Sequence, residues 1–436
     1  MLLSLSSPWN TLVTQGVRCR QHQRLLFVIV VWSFLLGGCT SFGPRSLQQS
    51  RLEYNETIKS TTEEQLLLNI VRLRYTDTPS SLGVSAIAAQ FERSQTLGLT
   101  PFFTASGADI NQSFTSVLPQ AQILHADRPT FSLTPLDDQE FTRKLFTPLP
   151  LDGIVYLAKT TWPISTVFRL YLENLNWVPN AQTASGPTPG AAPEFSSFRR
   201  GVEAMQALQE KGQIVFGVED RSELAGSPLP AGSVTASDLI EAAKNGYEYR
   251  RANNGKTWSL IRRTQQPVLR ISPDAIASPE WLIVTQIFNL KPGLDKYDIT
   301  QETLSPFPST FPSEGVGNLD LETRSMLQTL YFVSHGVDVP ADHLSQGLAR
   351  RTFDKAGNAF DWNRITGGLF SVFHRSGSER PATARVAIPY RGYWFYIDEA
   401  DQDTKSTFSL LVELSRLELN AKAGPSPILT IPVGTR

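Results

Sequence analysis

Apolar residues first recur at helical spacing at Leu66, Leu67, Ile70 and Leu73, directly after Thr61-Thr62-Glu63-Glu64. There a threonine followed three residues on by Glu64 forms a capping box, and Pro79 closes the pattern, which predicts a helix over roughly 62–75. Val84 to Phe91 and Thr96 to Thr104 are rich in β-branched and aromatic residues and predict a strand pair. Short helices are expected at 137–145 and 165–175, and a longer amphipathic one at 198–211, carrying Val202, Met205 and Leu208 and stopped by Gly212. A strand at 213–218 and a helix at 235–244 follow. Strand-like runs come next at 247–251, 257–262, 267–271 and 281–290, the first two joined by the turn Asn253-Asn254-Gly255.

Toward the C-terminus, 321–334 reads as an apolar helix ended by Gly336. Strands are expected at 369–375, 384–390 and 393–397, the last two meeting at the tight turn Arg391-Gly392. A helix at 404–419 and a terminal strand at 428–433 complete the pattern. Helices mixed with short, mostly antiparallel strands define an α+β fold, with a C-terminal strand-hairpin-helix-strand unit. No unit recurs three times, which argues against a solenoid.

Two stretches interrupt this order. Residues 179–194 are dominated by Pro, Gly, Ala and Ser and read as a linker or loop that cannot bury enough surface to order itself. Residues 291–318 hold Ser305-Pro306-Phe307-Pro308 and Phe311-Pro312, which forbid a continuing helix. The expected organisation is therefore a signal segment 1–38, a polar tether 39–55, an N-terminal α+β region 56–178, the 179–194 linker, a middle α+β region 195–290, the Pro-rich loop 291–318 and a C-terminal α+β region 319–436.

The signal segment is defined by charge and hydropathy together. Arg18, Arg20 and Arg24 precede the apolar run Leu25–Leu36, and no acidic residue occurs before Cys39. That run is about 12 residues, against the roughly 20 that a bilayer-crossing helix needs. It closes on Leu36-Gly37-Gly38-Cys39, which resembles a bacterial lipobox: small residues let the chain enter a peptidase, and the cysteine that follows supplies the thiol for a diacylglyceryl group. Thr40 and Ser41 stand where an aspartate would resemble the inner-membrane retention signal, so outer-membrane sorting with the body in the periplasm is expected.

Removal of residues 1–38 leaves 37 Lys+Arg against 41 Asp+Glu, a net charge near −4, and no broad basic field for nucleic acid. Cys19 leaves with the signal, so Cys39 is the single remaining thiol. Its acylation excludes disulfides and thiolate metal sites, and no cofactor beyond the covalent lipid on Cys39 is expected.

Signatures of common chemistries are absent from the sequence: no HExxH, Walker A loop, GxSxG elbow, Ser-x-x-Lys or dinucleotide fingerprint occurs. His335 and His343 are eight residues apart and match no zinc-ligand spacing, and no metal is expected. His335, at a predicted helix C-terminus, is explained by the dipole it stabilises when charged. Arg72 and Arg74 complement the end of the first helix in the same way, with an anionic partner as a further possibility. Ser376 and Ser378 beside His374 are adjacent in sequence, which is not the geometry of a triad.

The ligand-binding candidates are Tyr393, Trp394, Asp398, Glu399 and Asp401. Tyr390, Tyr393, Trp394, Phe395 and Tyr396 flank the turn, where they could stack on sugar rings, although cross-strand packing is the preferred role. Asp398, Glu399, Asp401 and Asp403 put four carboxylates in six residues, but without the central glycine and distal glutamate of a calcium loop they read as a helix-initiating turn.

Glu64–Tyr75 and Tyr390–Asp398, with Lys405-Ser406-Thr407-Phe408 and Ile428–Val433, resemble a family of uncharacterised lipoproteins of Gram-negative bacteria. The resemblance implies the anchor and one integrated body, and brings no catalytic residues. The expected function is a lipid-anchored, non-enzymatic scaffold or binding subunit at the outer membrane, tied to the membrane by its lipid and to an envelope protein partner. The alternative is a glycan-binding or glycan-processing enzyme of the envelope.

Overall fold

The computed structural model describes residues 42–80, 82–88, 91–103, 115–127, 130–135, 139–252, 255–305, 307 and 312–419. The signal segment, Cys39 and the expected strand 428–433 lie outside the described residues. The chain divides into two compact units, one of Thr61–Ala86 with Phe131–Arg436 and the other of Met1–Ser60 with Ile87–Thr130. Both helices and sheets are present and most strand pairs are antiparallel, an α+β fold. Among the described residues no helix is long and apolar enough to cross a membrane.

The first helix, α1 (Phe42–Arg74), is much longer than the apolar pattern predicts. Its first turn carries Pro44, and Leu47, Gln48, Gln49, Arg51, Leu52 and Glu53 are good helix formers, so local propensity favours helix through the region expected to be a polar tether. Its later turns are buried, through Leu67, Ile70, Val71 and Leu73.

Strands β1 (Leu82–Ala88), β2 (Phe91–Phe103), β3 (Thr115–Asp127) and β4 (Thr130–Pro135) follow. The two strands expected to pair with each other do not: β1 pairs with β4, and β2 with β3. Alternation marks a strand, but the partner is chosen elsewhere in the chain.

The larger unit continues with α2 (Gln139–Phe146), α3 (Leu151–Lys159) and α4 (Ile164–Tyr171), then β5 (Leu172–Leu175) and β6 (Val178–Pro179). After α5 (Ser196–Glu210) come β7 (Ile214–Leu224), β8 (Leu229–Pro230), α6 (Ala236–Lys244), β9 (Tyr247–Arg251) and β10 (Thr257–Ile271). Then follow α7 (Pro279–Ile287), β11 (Lys296–Gln301), β12 (Asn318–Thr323) and α8 (Met326–Ser334). The central sheet runs β6-β5-β12-β11-β10-β7, with β8 and β9 also on β10; β11 and β12 are parallel and the other pairs antiparallel. It takes strands from either side of 179–194 and one strand, β11, from within 291–318, so neither stretch separates two bodies.

Two differences from the sequence pattern have local causes. Residues 281–290 were expected to be a strand because Trp, Ile and Val dominate, yet α7 forms: the Ser278 hydroxyl accepts the Trp281 N–H at 3.2 Å and Pro279 sits at the first helical position. The helix expected from Leu321 starts only at Met326, because the Ser325 and Gln328 side chains cap each other's backbone N–H groups and leave Leu319 and Leu321 to the sheet.

After α9 (Ala341–Ser345) and α10 (Asn363–Thr366), a second sheet orders β13 (Phe373–Ser376), β15 (Tyr393–Asp398) and β14 (Ala384–Tyr390) as β13-β15-β14, followed by α11 (Gln402–Leu419). The β14–β15 connection is the expected two-residue turn: Arg391 (φ 49°) and Gly392 (φ 85°) are both left-handed, the geometry whose twist matches an antiparallel pair. One apolar cluster, from Leu67 of α1 to Val412 of α11, takes in helices and strands of both sheets.

The residue that organises this core is a cation. Arg324 is fully buried and lies between β12 and α8. Its Nη1 donates to the carbonyls of Arg169 (2.9 Å) and Leu170 (3.0 Å), its Nη2 to that of Asn180 (2.6 Å), and its Nε to the Ser185 hydroxyl (2.9 Å). The guanidinium lies 3.9 Å from the Phe332 ring centroid. Helix α4 passes directly into β5, so its last carbonyls, beyond that of Phe168, which accepts the Leu172 N–H, have no helical partner. Arg324 and the Asn180 amide, which donates to the carbonyls of Phe168, Arg169 and Leu172, supply those donors, and the positive charge complements the helix dipole. Burial lowers the Arg324 pKa to about 9, which leaves it charged at neutral pH.

The same chemistry orders 179–194, which is not the self-insufficient linker its composition predicts. Asn180, Ala181, Ala184 and Thr188 are buried. Arg324 holds Asn180 and Ser185, the Arg74 Nη1 donates to the Thr188 hydroxyl (3.1 Å), and the Thr352 hydroxyl donates to the Pro189 carbonyl (2.7 Å). The segment buries little apolar surface of its own and is held instead by donors from distant elements.

Arg324→Lys keeps the charge but replaces the fork with one ammonium that cannot reach all four acceptors. It is expected to cost on the order of 3 kcal/mol in urea unfolding, whereas Ser185→Ala costs roughly 1 kcal/mol. A loss below about 1 kcal/mol for Arg324→Lys would contradict the role given to the fork.

Candidate functional site

The candidates singled out in sequence go to three places. Tyr393 joins a polar aromatic cluster at the tip of the β14–β15 hairpin. Its hydroxyl donates to Asp342 Oδ1 at 3.1 Å, and its ring meets those of His343 (5.1 Å) and His374 (5.6 Å) edge-on. His343 in turn shares a 2.7 Å hydrogen bond with the hydroxyl of Tyr75, the residue that follows α1. Tyr75 packs against Tyr390 and Phe395, the Tyr390 hydroxyl donates to Asp77 at 2.8 Å, and Arg391 lies 5.4 Å from both the Tyr75 and Tyr390 rings. Burial pushes the Tyr75 phenol well above its ordinary value, so it remains protonated. The cluster fastens the hairpin to the end of α1 and to α9, the packing role preferred for these aromatics.

Trp394 stands on the opposite face of β15, half-buried, between Arg375 of β13 and Pro389 of β14 in register. Asp398, Glu399 and Asp401 lie at the far end of the strand, about 17 Å of strand from Tyr393 at ~3.4 Å per residue. There Asp401 is the N-cap of α11, accepting the Thr404 N–H at 3.0 Å and its hydroxyl at 2.7 Å. Asp398 accepts the Ala400 N–H at 2.9 Å, and Glu399 pairs with Lys405 at 2.6 Å. Hydrogen bonds to the ionised form hold Asp398 and Glu399 below the usual carboxylate range. These acids start a helix, and the structure does not gather them with Tyr393. Among the described residues no group of three or more His, Cys, Asp or Glu side chains is placed to hold a metal ion.

The remaining titratable candidates are also accounted for. His335 caps α8, but not as the charged dipole partner expected from its position. It is 2 % exposed, its Nδ1 is 2.8 Å from the Tyr331 carbonyl, and its ring lies 4.0 Å from that of Trp362. Burial, with Arg74 nearby, pushes its pKa down to about 3, so the imidazole is neutral. Its Nε2 has no partner among the described residues. Arg74 does not bond its own helix end: it reaches Thr188 and the Arg350 carbonyl, while Arg72 bonds Asn69. His374 Nδ1 lies 3.0 Å from the Asp338 carboxylate.

An open cleft of about 670 Å³ lies elsewhere, between the end of 179–194 and residues 354–364. Its distinctive feature is Arg364, exposed and set 5.8 Å from the Phe195 ring and 5.6 Å from the Phe360 ring, which meet edge-on. Ser196 and Ser197, in the first turn of α5, form part of the wall, and the position before them, Phe195, provides no side-chain cap. Glu194, Asp354 and Lys355 also line the rim; Asp354 is held below its ordinary pKa by the N–H groups of Asn358 and Ala356. A cation braced on two rings beside uncapped helical amides suits a carboxylate or another anionic group. Sequence reading missed this site because Phe195 and Arg364 are far apart along the chain and neither lies in a motif.

Stability should fall on acidification through His335. Between its ordinary value near 6.5 and about 3, the unfolded chain binds a proton that the folded protein excludes, so unfolding free energy drops by up to about 1.4 kcal/mol per pH unit as pH falls. In urea titrations between pH 6.5 and 5, above the ordinary carboxylate range, His335→Asn should flatten that slope; an unchanged slope would sink the assignment. Separately, Asp401→Ala should cost about 1 kcal/mol as a lost cap while Glu399→Ala is nearly silent, and equal effects would overturn the capping role.

Comparison with known protein families, with characterised proteins and with solved structures finds no match to this chain.

Proposed function

We propose that the protein is a lipid-anchored, non-enzymatic binding subunit of the bacterial outer membrane, its body in the periplasm and Cys39 carrying the acyl anchor. The single observation that carries the reading is the run from Arg18 through Leu25–Leu36 to Leu36-Gly37-Gly38-Cys39, in which charge, apolar length and small residues fall in the order a lipoprotein peptidase reads. Two features of the body support a binding role. Its most prominent cations, Arg74, Arg169 and Arg324, are committed to backbone carbonyls and neutral side chains, which makes a rigid platform. Arg364, by contrast, is presented in an open cleft, where it offers a fixed positive group to a carboxylate of an envelope protein partner.

Mass spectrometry of the mature N-terminus is expected to find chain beginning at Cys39 with a diacylglyceryl and an acyl group, and Cys39→Ser to leave the uncut precursor. An unmodified Cys39 would refute the anchor. Mild crosslinking in membranes should capture an envelope protein with the native chain and less of it with Arg364→Glu; undiminished capture would refute the cleft as the contact.

A further inference from the structure

Helix α6 has an apolar and a polar face, and the apolar one points outward. At ~3.6 residues per turn, Ala236, Leu239, Ile240 and Ala243 form one stripe, and Asp238, Glu241, Ala242 and Asn245 fall on the opposite side. A helix packed on a sheet ordinarily buries its apolar stripe. Here Asp238, Glu241, Ala242 and Asn245 line an open cleft of about 520 Å³ with Tyr247, Tyr249 and Leu260 of β9 and β10. All four residues of the stripe are exposed, Ile240 to 59 %, and no residue of α6 is buried.

The register of β10 shows what surrounds the stripe, because residues directly opposite each other share a face. Trp258 stands opposite Arg251 of β9 and Leu229 of β8, Leu260 opposite Tyr249, and Arg262 opposite Tyr247 of β9 and Glu223 of β7. Tyr247, Tyr249 and Leu260 lie under α6, so Leu229, Trp258, Arg251 and Arg262 look the same way as its outward stripe. Leu229 is exposed, as are Arg251 and Arg262. The Arg251 guanidinium lies 6.0 Å from the Trp258 ring and donates to the Gly255 carbonyl from Nε (3.2 Å) and Nη2 (3.0 Å). Lys244, the last residue of α6, is exposed on the flank of the stripe.

Charge and area together select the occupant. Residues 235–263 hold six basic residues against three acidic ones, in a chain whose net charge is −1. Those acids are turned inward or already engaged: Asp238 in the capping box with Thr235, Glu241 in the cleft, Glu248 on Arg263. Lys244, Arg251 and Arg262 have no carboxylate partner among the described residues, and Glu223, opposite Arg262, offsets one of them. The surface is therefore cationic around an apolar centre. That centre is small: α6 has nine residues, about 14 Å of helix, with Leu239 and Ile240 as its large apolar side chains. A stable protein interface needs ~800 Å² from each partner, far more than this stripe offers. A short apolar helix face ringed by Lys, Arg and Trp suits a membrane surface, where the apolar side chains reach the acyl boundary and the cations meet anionic headgroups.

We propose that the outward stripe of α6, with Leu229, Trp258 and the cations Lys244, Arg251 and Arg262, docks on an anionic phospholipid surface, α6 lying in the plane of the headgroups. This contact is separate from the Cys39 lipid and from the Arg364 cleft and rests on neither. The test uses the full chain with Cys19→Ser and Cys39→Ser, one added cysteine carrying an environment-sensitive nitrobenzoxadiazole label, and vesicles of phosphatidylcholine alone or mixed with phosphatidylglycerol. The apolar run Leu25–Leu36 can bring the chain to either vesicle, so the difference between the two is read. A label at Ala243→Cys, on the stripe, is expected to brighten about threefold more on the anionic vesicles, and one at Ser222→Cys, opposite Arg263 on the reverse face, to change little. Salt at about 1 M, where the Debye length is ~3 Å, should abolish the difference. Ile240→Asp, at a position already in solvent, preserves the fold and should cut the difference about fivefold, as should Lys244→Glu combined with Arg262→Glu. No brightening, equal brightening on neutral and anionic vesicles, or equal brightening at the two labels would each overturn the proposal. So would an Ala243→Cys signal that rises with protein concentration without vesicles, which would mark the stripe as a contact between copies of the chain.

Discussion

The larger unit depends on one buried guanidinium finding enough carbonyl oxygen. A charge with no water around it is tolerable only when its donors are met, and Arg324 has no carboxylate within hydrogen-bonding distance among the described residues. It is satisfied by the ends of peptide dipoles: the last carbonyls of α4, a carbonyl and a hydroxyl of 179–194, and the face of Phe332. The dependence is mutual, since α4 can run straight into β5 only if something caps it. Asn180 shares that task, so helix end, strand start and loop are fixed by the same few donors.

The consequence reaches the surface. Once 179–194 is fixed by Arg324, Arg74 and Thr352, its far end places Phe195 and the first turn of α5 along the wall of the cleft. Arg169 bonds the carbonyls of Ile365 and Gly367 (2.7 and 2.9 Å), which fixes the segment that follows Arg364. Three buried arginines thus hold loops, while a fourth is left outward and braced by two rings. Buried cations are positioning elements here, and their chemistry is spent on backbone.

The C-terminal sheet is attached by a different device, the aromatic hydrogen-bonding cluster of Tyr75, His343, Tyr390 and Tyr393. Each tyrosine hydroxyl has a hydrogen-bond partner, and each ring an edge-on neighbour, so the contact is apolar in its body and polar at its tips. The β2–β3 hairpin is unlike either region: it lacks charge over most of its length and, among the described residues, has no third strand.

Local chemistry was legible from the sequence wherever a signal acts within a few residues: the Arg391-Gly392 turn, the helices after Thr235 and Phe195, the acidic start of α11, the alternation of β14 and β15. The α+β class followed from those elements. What it misjudged involved partners distant in the chain. Composition alone made 179–194 a linker, because donors from Arg324 and Arg74 are not visible in a Pro/Gly/Ala run; β1 and β2 were paired as neighbours, although strand pairing is decided by which ladders close. The helix-end position of His335 predicts a charged imidazole, whereas its neutrality comes from burial under Trp362, a tertiary fact. The sequence by itself determined many of the elements and the charge-poor run from Ser94 to Leu124, since periodicity and composition are properties of contiguous residues. Only the tertiary structure decided which polar groups are buried and what satisfies them, because desolvation and hydrogen bonding depend on neighbours that chain order does not supply.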